Sequence, residues 1–235
     1  MAHAEADQNL APVAPNERAP ERRRQELLQA AIAEFAAHGF AGARMQVIAD
    51  RTNSNKALIY SYFGNKQDLY LEVLEFLYSS IRAAEQELAL ESLPPIEALE
   101  RLVRFTFKYY VDNPDFVAIL SNENLMGARF LRKSTSAPAV NRPIIAMLVN
   151  ILRRGADAGL FRSGIDPVDF YISISALGFM YVSNRHTLGI AFGRDLMGPD
   201  QLSCRLASIT DIILRAVALL PDAQRPPEPP LQPAM

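Results

Sequence analysis

The chain has 235 residues, 49% of them hydrophobic, which is enough apolar surface for one large or two modest domains. Its single cysteine, Cys204, excludes an intramolecular disulfide and a multi-cysteine metal site; we expect a buried thiol in a reducing compartment. No stretch resembles a signal peptide and no apolar run reaches the roughly eighteen residues of a membrane span, so we expect a cytoplasmic protein.

The net charge of −2 is unevenly distributed along the chain. Residues 18 to 66 hold eight Lys and Arg against four Asp and Glu, a local charge of +4, so the remainder carries −6. The acidic total therefore does not exclude nucleic acid as a partner of the N-terminal segment.

Helical periodicity dominates the chain between two ends for which we expect disorder, residues 1–18 and the proline-rich residues 221–235. No convincing strand is found, and about nine or ten helices predict an all-α fold. The predicted helices cover about residues 21–37, 45–51, 56–62, 66–90, 96–111, 115–122, 125–133, 140–158, 168–189 and 200–219.

Two short predicted helices are separated by the polar turn Thr52-Asn53-Ser54, within a segment of about residues 44–63. This is the plan of a helix-turn-helix element, whose second helix enters the DNA major groove. Asn55 is suited to cap that second helix. Structural helical hairpins share this plan. The polar and aromatic residues that follow Asn55 are therefore stronger evidence for DNA binding than the plan itself.

The motif Ile48-Ala49, followed by NKALIYSYFGNKQDL at residues 55–69, resembles the signature of the TetR family of transcriptional regulators. The resemblance spans about residues 21–81, and the rest of the chain is similar to the family in helical layout. It implies a DNA-binding domain over residues 19–81 and a ligand-binding and dimerisation domain over residues 82–220. The dimer would form through the helices at about 168–189 and 200–219.

The resemblance implies DNA contacts from the second short helix. Lys56, Tyr60 and Tyr62 match positions that contact phosphates and base edges, and Ala57 matches the small position that lets the helix approach the groove. Lys66 matches a lysine that faces a phosphate. The candidate DNA-binding residues are Arg44, Asn55, Lys56, Ala57, Tyr60, Ser61, Tyr62 and Lys66.

The turn departs from the Ala-Gly-Val-Ser found in many family members. Asn53 can adopt the left-handed conformation that the glycine supplies, and Asn55 can replace the serine as cap. Ala43-Arg44 resembles the branch of the pyrimidine-utilisation regulators; Arg44 can bind a phosphate or a guanine, or it can be a solvated arginine. The run Arg22-Arg23-Arg24 can likewise contact DNA or remain solvated.

The resemblance also implies a ligand chamber in the helices after residue 90. The candidate lining residues are mostly aromatic or methionine rather than charged, which favours a small, largely apolar or aromatic effector with one or two polar handles. The candidate lining residues are Phe105, Tyr109, Phe116, Asn122, Met126, Phe130, Met147, Phe170, Ile174 and Tyr181, together with Phe179. Asn184, Arg185 and His186 are further polar candidates. Most of these side chains are expected to be core.

The predicted function is a homodimeric repressor released from a palindromic DNA operator by its effector, without enzymatic activity, cofactor or metal. No phosphate loop, metal-spaced cluster or nucleophile–base pair supports an enzyme. A helical interaction protein that does not bind an operator is an alternative, and so is an activator.

Overall fold

A computed structural model describes residues 18–219, and within that range it contains ten α-helices and no strand. The all-α fold class is confirmed. The two predicted tails lie outside the described residues, except that the first helix begins at Arg18. The helices are α1 (Arg18–Gly42), α2 (Met45–Arg51), α3 (Lys56–Phe63), α4 (Lys66–Gln86), α5 (Pro95–Asp112), α6 (Pro114–Leu125), α7 (Ala137–Asp157), α8 (Pro167–Ser183), α9 (Arg185–Phe192) and α10 (Pro199–Val217).

Local sequence signals account for several helix boundaries. Asp166 caps α8 by accepting a hydrogen bond from the Asp169 amide at 2.7 Å, and Pro167 occupies the first turn. The predicted helix at about 21–37 lies within α1, which resumes after a kink at Gly39 and ends at Gly42. Gly39 has a φ of 63°, in the left-handed region that glycine tolerates.

Two predicted helices differ from the structure. The helix predicted at 125–133 is instead a turn that ends in a short 3-10 segment, Leu131–Lys133, because Gly127 and Ala128 both have positive φ. The helix predicted at 168–189 breaks at Asn184, whose backbone and side-chain amides both donate to the Met180 carbonyl.

The described chain separates into two compact units within α4, one ending at Val73 and the other beginning at Leu74. The first unit contains α1, α2, α3 and the first part of α4. Its core consists of apolar side chains from all four helices: Leu27, Leu28, Ala31, Phe35, Ile48, Ala49, Ile59, Phe63, Leu69 and Tyr70.

In the second unit, α5 contacts α6, α7, α8 and α10. Its buried residues Leu99, Leu102 and Val103 belong to a core that α7, α8 and α10 complete. Cys204 on α10 is exposed, so the expectation of a buried thiol was wrong. Within residues 18–219, no helix is both long enough and apolar enough to cross a bilayer.

The end of α7 and the chain that follows it approach closely at Gly155. A Cβ atom at this position would lie 1.9 Å from Cδ2 of the buried Phe161 ring. We predict that Gly155→Ala lowers the free energy of unfolding by about 1–3 kcal/mol, measured by urea denaturation, because the ring must shift. In the double variant with Phe161→Leu, the loss should be smaller than the sum of the two single losses; additive losses would contradict the clash.

Candidate nucleic-acid interface and effector site

The turn between α2 and α3 adopts the conformation expected from its sequence. Asn53 has a φ of 47°, in the left-handed region, and Asn55 Oδ1 accepts a hydrogen bond from the Leu58 amide at 2.8 Å. The Thr52 hydroxyl donates back to the end of α2, to the Ile48 carbonyl at 3.0 Å. Both predictions for this turn, the left-handed Asn53 and the Asn55 cap, are confirmed.

Helix α3 presents a polar and aromatic surface to solvent. Ile59 and Phe63 face the core, whereas Lys56, Ala57 and Tyr60 are exposed, Tyr60 to 42%. The Ser61 hydroxyl donates to the Leu58 carbonyl at 2.7 Å. The exposed α3 surface, defined as Asn55, Lys56, Ala57, Tyr60 and Ser61, therefore brings together most of the predicted DNA-binding residues; Tyr62 is half-buried beside it.

A buried carboxylate, Glu34 of α1, organises the start and end of α2. Glu34 is 1% exposed, and its Oε1 accepts a hydrogen bond from the Arg44 amide at 3.0 Å. Its Oε2 lies 3.6 Å from the Arg51 guanidinium and 3.8 Å from His38. This bond fixes the backbone of Arg44 at the start of α2, and the Arg44 side chain is exposed.

The other predicted basic contacts are partly engaged within the first unit. The Lys66 ammonium donates to the Ala43 carbonyl at 2.6 Å and lies 4.9 Å from the centre of the Phe40 ring. Burial lowers the pKa of Lys66, while the charge of Glu34 opposes that change. These contacts give Lys66 a role in joining the start of α4 to the loop before α2.

The three consecutive arginines of α1 have different environments. Arg22 is exposed, whereas Arg23 donates to the Thr52 carbonyl at 2.6 Å and so supports the turn. Arg24 pairs with Glu72 and lies 5.2 Å from the centre of the Phe63 ring. The sequence left open whether these arginines contact DNA or are only solvated. Arg23 and Arg24 are not only solvated, because both contact other residues of the first unit.

The capping bond of Asn55 generates a prediction about α3. We expect Asn55→Ala to lower the free energy of unfolding of the first unit by about 1 kcal/mol, because the Leu58 amide loses its acceptor. Asn55→Asp should recover most of that loss. Thermal denaturation followed by circular dichroism measures both; an Asp variant no more stable than the Ala variant would contradict the capping role.

In the second unit, part of the predicted ligand set forms an aromatic cluster. Phe105 and Tyr109 of α5 have ring centres 5.6 Å apart, and Tyr109 meets Phe116 of α6 edge-on at 5.5 Å. Tyr110 stacks on Phe116 at 5.9 Å and meets Phe179 at 5.6 Å. Four of the predicted residues, Phe105, Tyr109, Phe116 and Phe179, therefore lie together, with Tyr110 added by the structure.

The remaining predicted ligand residues do not share one environment. Phe130, Phe170 and Ile174 are buried, whereas Met126 and Met147 are half-buried. The Tyr181 hydroxyl donates to the Leu196 carbonyl, its ring meets Phe107, and Arg205 lies over it.

The suggested polar anchors mostly bond to backbone carbonyls three or four residues earlier in the chain. The side chains of Asn122, Asn184 and Arg185 donate to the carbonyls of Ala118, Met180 and Val182 respectively, and His186 is exposed. These bonds leave them poorly placed to hold the polar handle of an effector.

A buried polar group that the sequence analysis missed joins α4 to α8. Arg82 and Glu85 of α4 are 6% and 1% exposed, and their Nε and Oε2 atoms lie 3.0 Å apart. The Tyr171 hydroxyl of α8 accepts a hydrogen bond from Arg82 and donates one to Glu85 at 3.1 Å. We call Arg82, Glu85 and Tyr171 the α4–α8 polar triad.

The triad does not satisfy all of its polar atoms. Arg82 Nη1 has no hydrogen-bond partner, and the Arg82 Nε and Glu85 Oε2 atoms, although close, are not aligned for a hydrogen bond. Nearby Glu123 of α6 accepts the Phe130 and Leu131 amides through Oε1, but its Oε2 has no hydrogen-bond partner. Buried polar atoms without a hydrogen-bond partner are uncommon in native folds and can mark a binding site.

Burial dominates the ionisation of this region. It raises the pKa of the Glu85 carboxyl to about 7, although Arg82 and the Tyr171 hydroxyl oppose the rise. It also raises the pKa of the Tyr171 hydroxyl, and Glu85 adds to that increase. Glu85 can therefore gain or lose a proton close to neutral pH.

The raised pKa of Glu85 predicts a pH-dependent stability. Between about pH 5 and pH 8, the folded state must release a proton that the unfolded state, with an ordinary pKa of 4.5, has mostly lost already. Stability due to Glu85 therefore falls as pH rises, by about 1–3 kcal/mol over this range. Glu85→Gln should remove this part of the decline in urea denaturation, whereas Glu87→Gln, at an exposed position, should not. Parallel pH curves for the wild type and both variants would contradict the assignment.

Sequence signals for the triad are weak. Arg82 and Glu85 are three residues apart, the spacing of an ordinary surface ion pair, but they follow the apolar positions Leu77 and Ile81 on the same helix. Within residues 18–219, no group of His, Cys, Asp and Glu side chains is positioned to hold a metal ion.

Comparison with known proteins agrees with this architecture. The family model described as "Bacterial regulatory proteins, tetR family" matches residues 27–73, and "Tetracyclin repressor-like, C-terminal domain" matches residues 95–213. The HTH-type transcriptional repressor NicS of Pseudomonas putida is 38% identical over 197 residues, covering 84% of this chain and 93% of that protein. The HTH-type transcriptional repressor SCO4008 of Streptomyces coelicolor is 30% identical over 162 residues, covering 68% of this chain and 78% of that protein.

Among solved structures, the ketosteroid transcriptional regulator KstR2 of Mycobacterium tuberculosis has the same fold, with a TM-score of 0.63. The two sequences are 22% identical, and the match covers 84% of this chain and 96% of that chain.

Proposed function

This chain belongs to the TetR family of helix-turn-helix transcriptional regulators, and on that premise we propose that it is a homodimeric repressor whose exposed α3 surface reads a palindromic operator. The observation that carries the proposal is the solvent-facing group of Asn55, Lys56, Tyr60 and Ser61 on a capped helix that follows a helix-turn. Two similar proteins, NicS and SCO4008, are named repressors, which favours repression over activation.

The side chains of the exposed α3 surface suit DNA. Lys56 supplies a charge for a phosphate, the Tyr60 and Ser61 hydroxyls can bond to phosphates or base edges, and Ala57 leaves room for close approach. Arg44, exposed at the start of α2, can add a second basic contact. The proposal includes a cytoplasmic location, because a regulator must reach the bacterial chromosome to bind its operator.

We predict that Lys56→Ala and Tyr60→Ala weaken operator binding. A gel-shift search of the DNA flanking the gene of this protein supplies the operator, and fluorescence anisotropy over a salt series gives the affinity. Lys56→Ala should reduce the slope of log K against log salt by about one per subunit, because a phosphate contact is lost. Lys108→Ala, at an exposed position of α5, is the matched control and should bind like the wild type.

A wild type that prefers no segment of the flanking DNA or of the rest of the genome over random DNA would contradict the operator proposal. It would favour the alternative of a helical interaction protein. Loss of binding with the Lys108→Ala control would show that the effect is general electrostatics rather than contact by α3.

The proposed dimer uses an apolar stripe on α8. Val168, Ile172, Ala176 and Met180 recur every four residues, so they share one face of the helix, and all four are exposed. On α10, Ile212 is also 44% exposed. Exposed apolar residues at this spacing need a partner surface, and a second copy of the same helices supplies one of matching chemistry. A dimer also presents two α3 helices to the two halves of a palindrome.

We expect Ile172→Glu and Met180→Glu to convert the dimer to monomer in sedimentation-equilibrium experiments, because a carboxylate would have to be buried at the interface. Leu125→Glu is the control: Leu125 is 87% exposed on α6, outside the proposed interface, so this variant should remain dimeric. A monomeric wild type, or dimers that survive both α8 substitutions, would contradict this assignment.

The proposed effector binds in the second unit beside the aromatic cluster of Phe105, Tyr109, Tyr110 and Phe116. The proposed response of the protein to its effector depends on α4, because this one helix belongs to both units. An effector acts through its preference between the operator-binding form of the dimer and another form. A tilt of α4 that changes the spacing of the two α3 helices is the proposed difference between these forms.

A further inference from the structure

We propose that the α4–α8 polar triad is the anchor for the effector, and that the effector is a small aromatic carboxylate whose carboxylate takes the place of Glu85 on Arg82. The inference rests on the proposed ligand-responsive function and deepens it. Glu85 is thus the built-in competitor of the ligand: the same guanidinium pairs with the protein's own carboxylate in the free form and with the effector's carboxylate in the bound form.

Unused donors on Arg82 provide the first argument. Its guanidinium carries five N–H donors in a rigid plane that matches the two oxygens of a carboxylate. One guanidinium nitrogen, Nη2, is bonded to the Tyr171 hydroxyl, whereas Nη1 and Nε make no hydrogen bond although the side chain is 6% exposed. Nη2 keeps a second hydrogen, so a planar carboxylate can bind in a bidentate arrangement along the Nη1–Nη2 edge, or along the Nε–Nη2 edge that Glu85 vacates.

The charge balance of the site favours an anion over a cation. When the effector's carboxylate displaces Glu85, the freed carboxyl is still buried beside the Tyr171 hydroxyl and can take up a proton. The site then holds the positive Arg82 opposite the negative ligand, with a neutral Glu85 alongside. The titratable groups facing Glu85 are Arg82 on its own helix, Tyr109 and Tyr110 on α5, and Tyr171 on α8.

Aromatic side chains adjoin the triad and supply the apolar part of the site. Burial raises the pKa of Tyr78, Tyr109 and Tyr110, and the charge of Arg82 opposes the rise in each, which places all three within its electrostatic reach. Phe116 lies in contact with the same three rings, at 5.5–6.4 Å between centres. Two of these contacts are edge-on and one is stacked, and both geometries suit a planar aromatic ligand.

The site is also placed to alter α4. Tyr171 links Arg82 and Glu85 to α8 through two hydrogen bonds, and both change when Glu85 leaves Arg82. Elsewhere on α4, Glu75 accepts hydrogen bonds from Ser134 and Ser136 at 2.5 and 2.8 Å, so polar contacts also hold this helix to the loop before α7. A ligand that replaces one such contact favours a different position of α4 relative to α8.

The test uses the full-length protein and four probes in isothermal titration calorimetry: benzoate, 2-naphthoate, the uncharged benzamide and the cationic benzylamine. We expect at least one carboxylate to bind, with benzamide at least about tenfold weaker because it cannot form a charged pair with Arg82. At about pH 7 to 8, binding should take up a fraction of a proton, seen as a dependence of the heat on the buffer, and affinity should fall as pH rises.

Variants separate the anchor from general packing. Glu85→Gln should bind the carboxylate more tightly at about pH 8 and abolish both proton uptake and pH dependence, because no carboxylate has to be displaced. Arg82→Met/Glu85→Gln removes both charges together, which buried pairs often tolerate, and should lower carboxylate affinity at least about tenfold without loss of thermal stability. Arg101→Met, at an exposed position of α5, should bind like the wild type.

Several outcomes would overturn the anchor. They are equal affinity for benzoate and benzamide, unchanged affinity in Arg82→Met/Glu85→Gln, preference for benzylamine over both carboxylates, and no binding of either carboxylate at its solubility limit. Operator binding is measured in parallel. If operator binding persists while the anchor fails, the DNA-reading function stands; if the wild type binds no operator, the proposed function fails whatever the carboxylate result.

Discussion

Two opposite charges held away from water on α4 impose the main constraint on the second unit. An unpaired buried charge is strongly destabilising, so Arg82 and Glu85 must stay close to each other and to a polar partner, which Tyr171 provides. Apolar residues of similar size would stabilise the fold as well or better. Stability alone therefore does not explain a charged pair here, whereas a site that exchanges one carboxylate for another does require it.

The same helix uses polar contacts along its whole length, each with a partner from a different part of the chain. In the first unit, Lys66 bonds to the Ala43 carbonyl and Glu72 pairs with Arg24. In the second unit, Glu75 accepts from the loop before α7, and Arg82 bonds to α8. Because α4 is continuous, a change in its polar partners in one unit acts on a helix that also forms part of the other. This continuity is the physical basis of the proposed response to effector.

The DNA-reading element was predictable because its signals are local. A cap such as Asn55 bonds three residues ahead, and Asn53 turns the chain within its own tetrapeptide, so neither needs distant residues. The helix breaks that were missed depend on weaker signals. The apolar residues keep their helical spacing on both sides of Asn184, so the sequence does not show the break there. The residues before Gly127 likewise do not show that the helix ends and a turn begins. Periodicity predicts which face of a helix is buried, but it is a poor guide to where the helix ends.

The residues of the proposed effector site also differ in how far apart in the chain their partners lie. Phe105, Tyr109 and Phe116 lie on two helices that are consecutive in the chain, and the family resemblance together with their aromatic character made them candidates. Tyr171 is 89 residues from Arg82, and an Arg and a Glu three residues apart are ordinarily a solvated pair. Their burial follows from the packing of α4 against distant helices, which no local pattern contains. The apolar residues of the proposed effector site could therefore be named from the sequence and the family resemblance, whereas the α4–α8 polar triad had to be found in the folded structure.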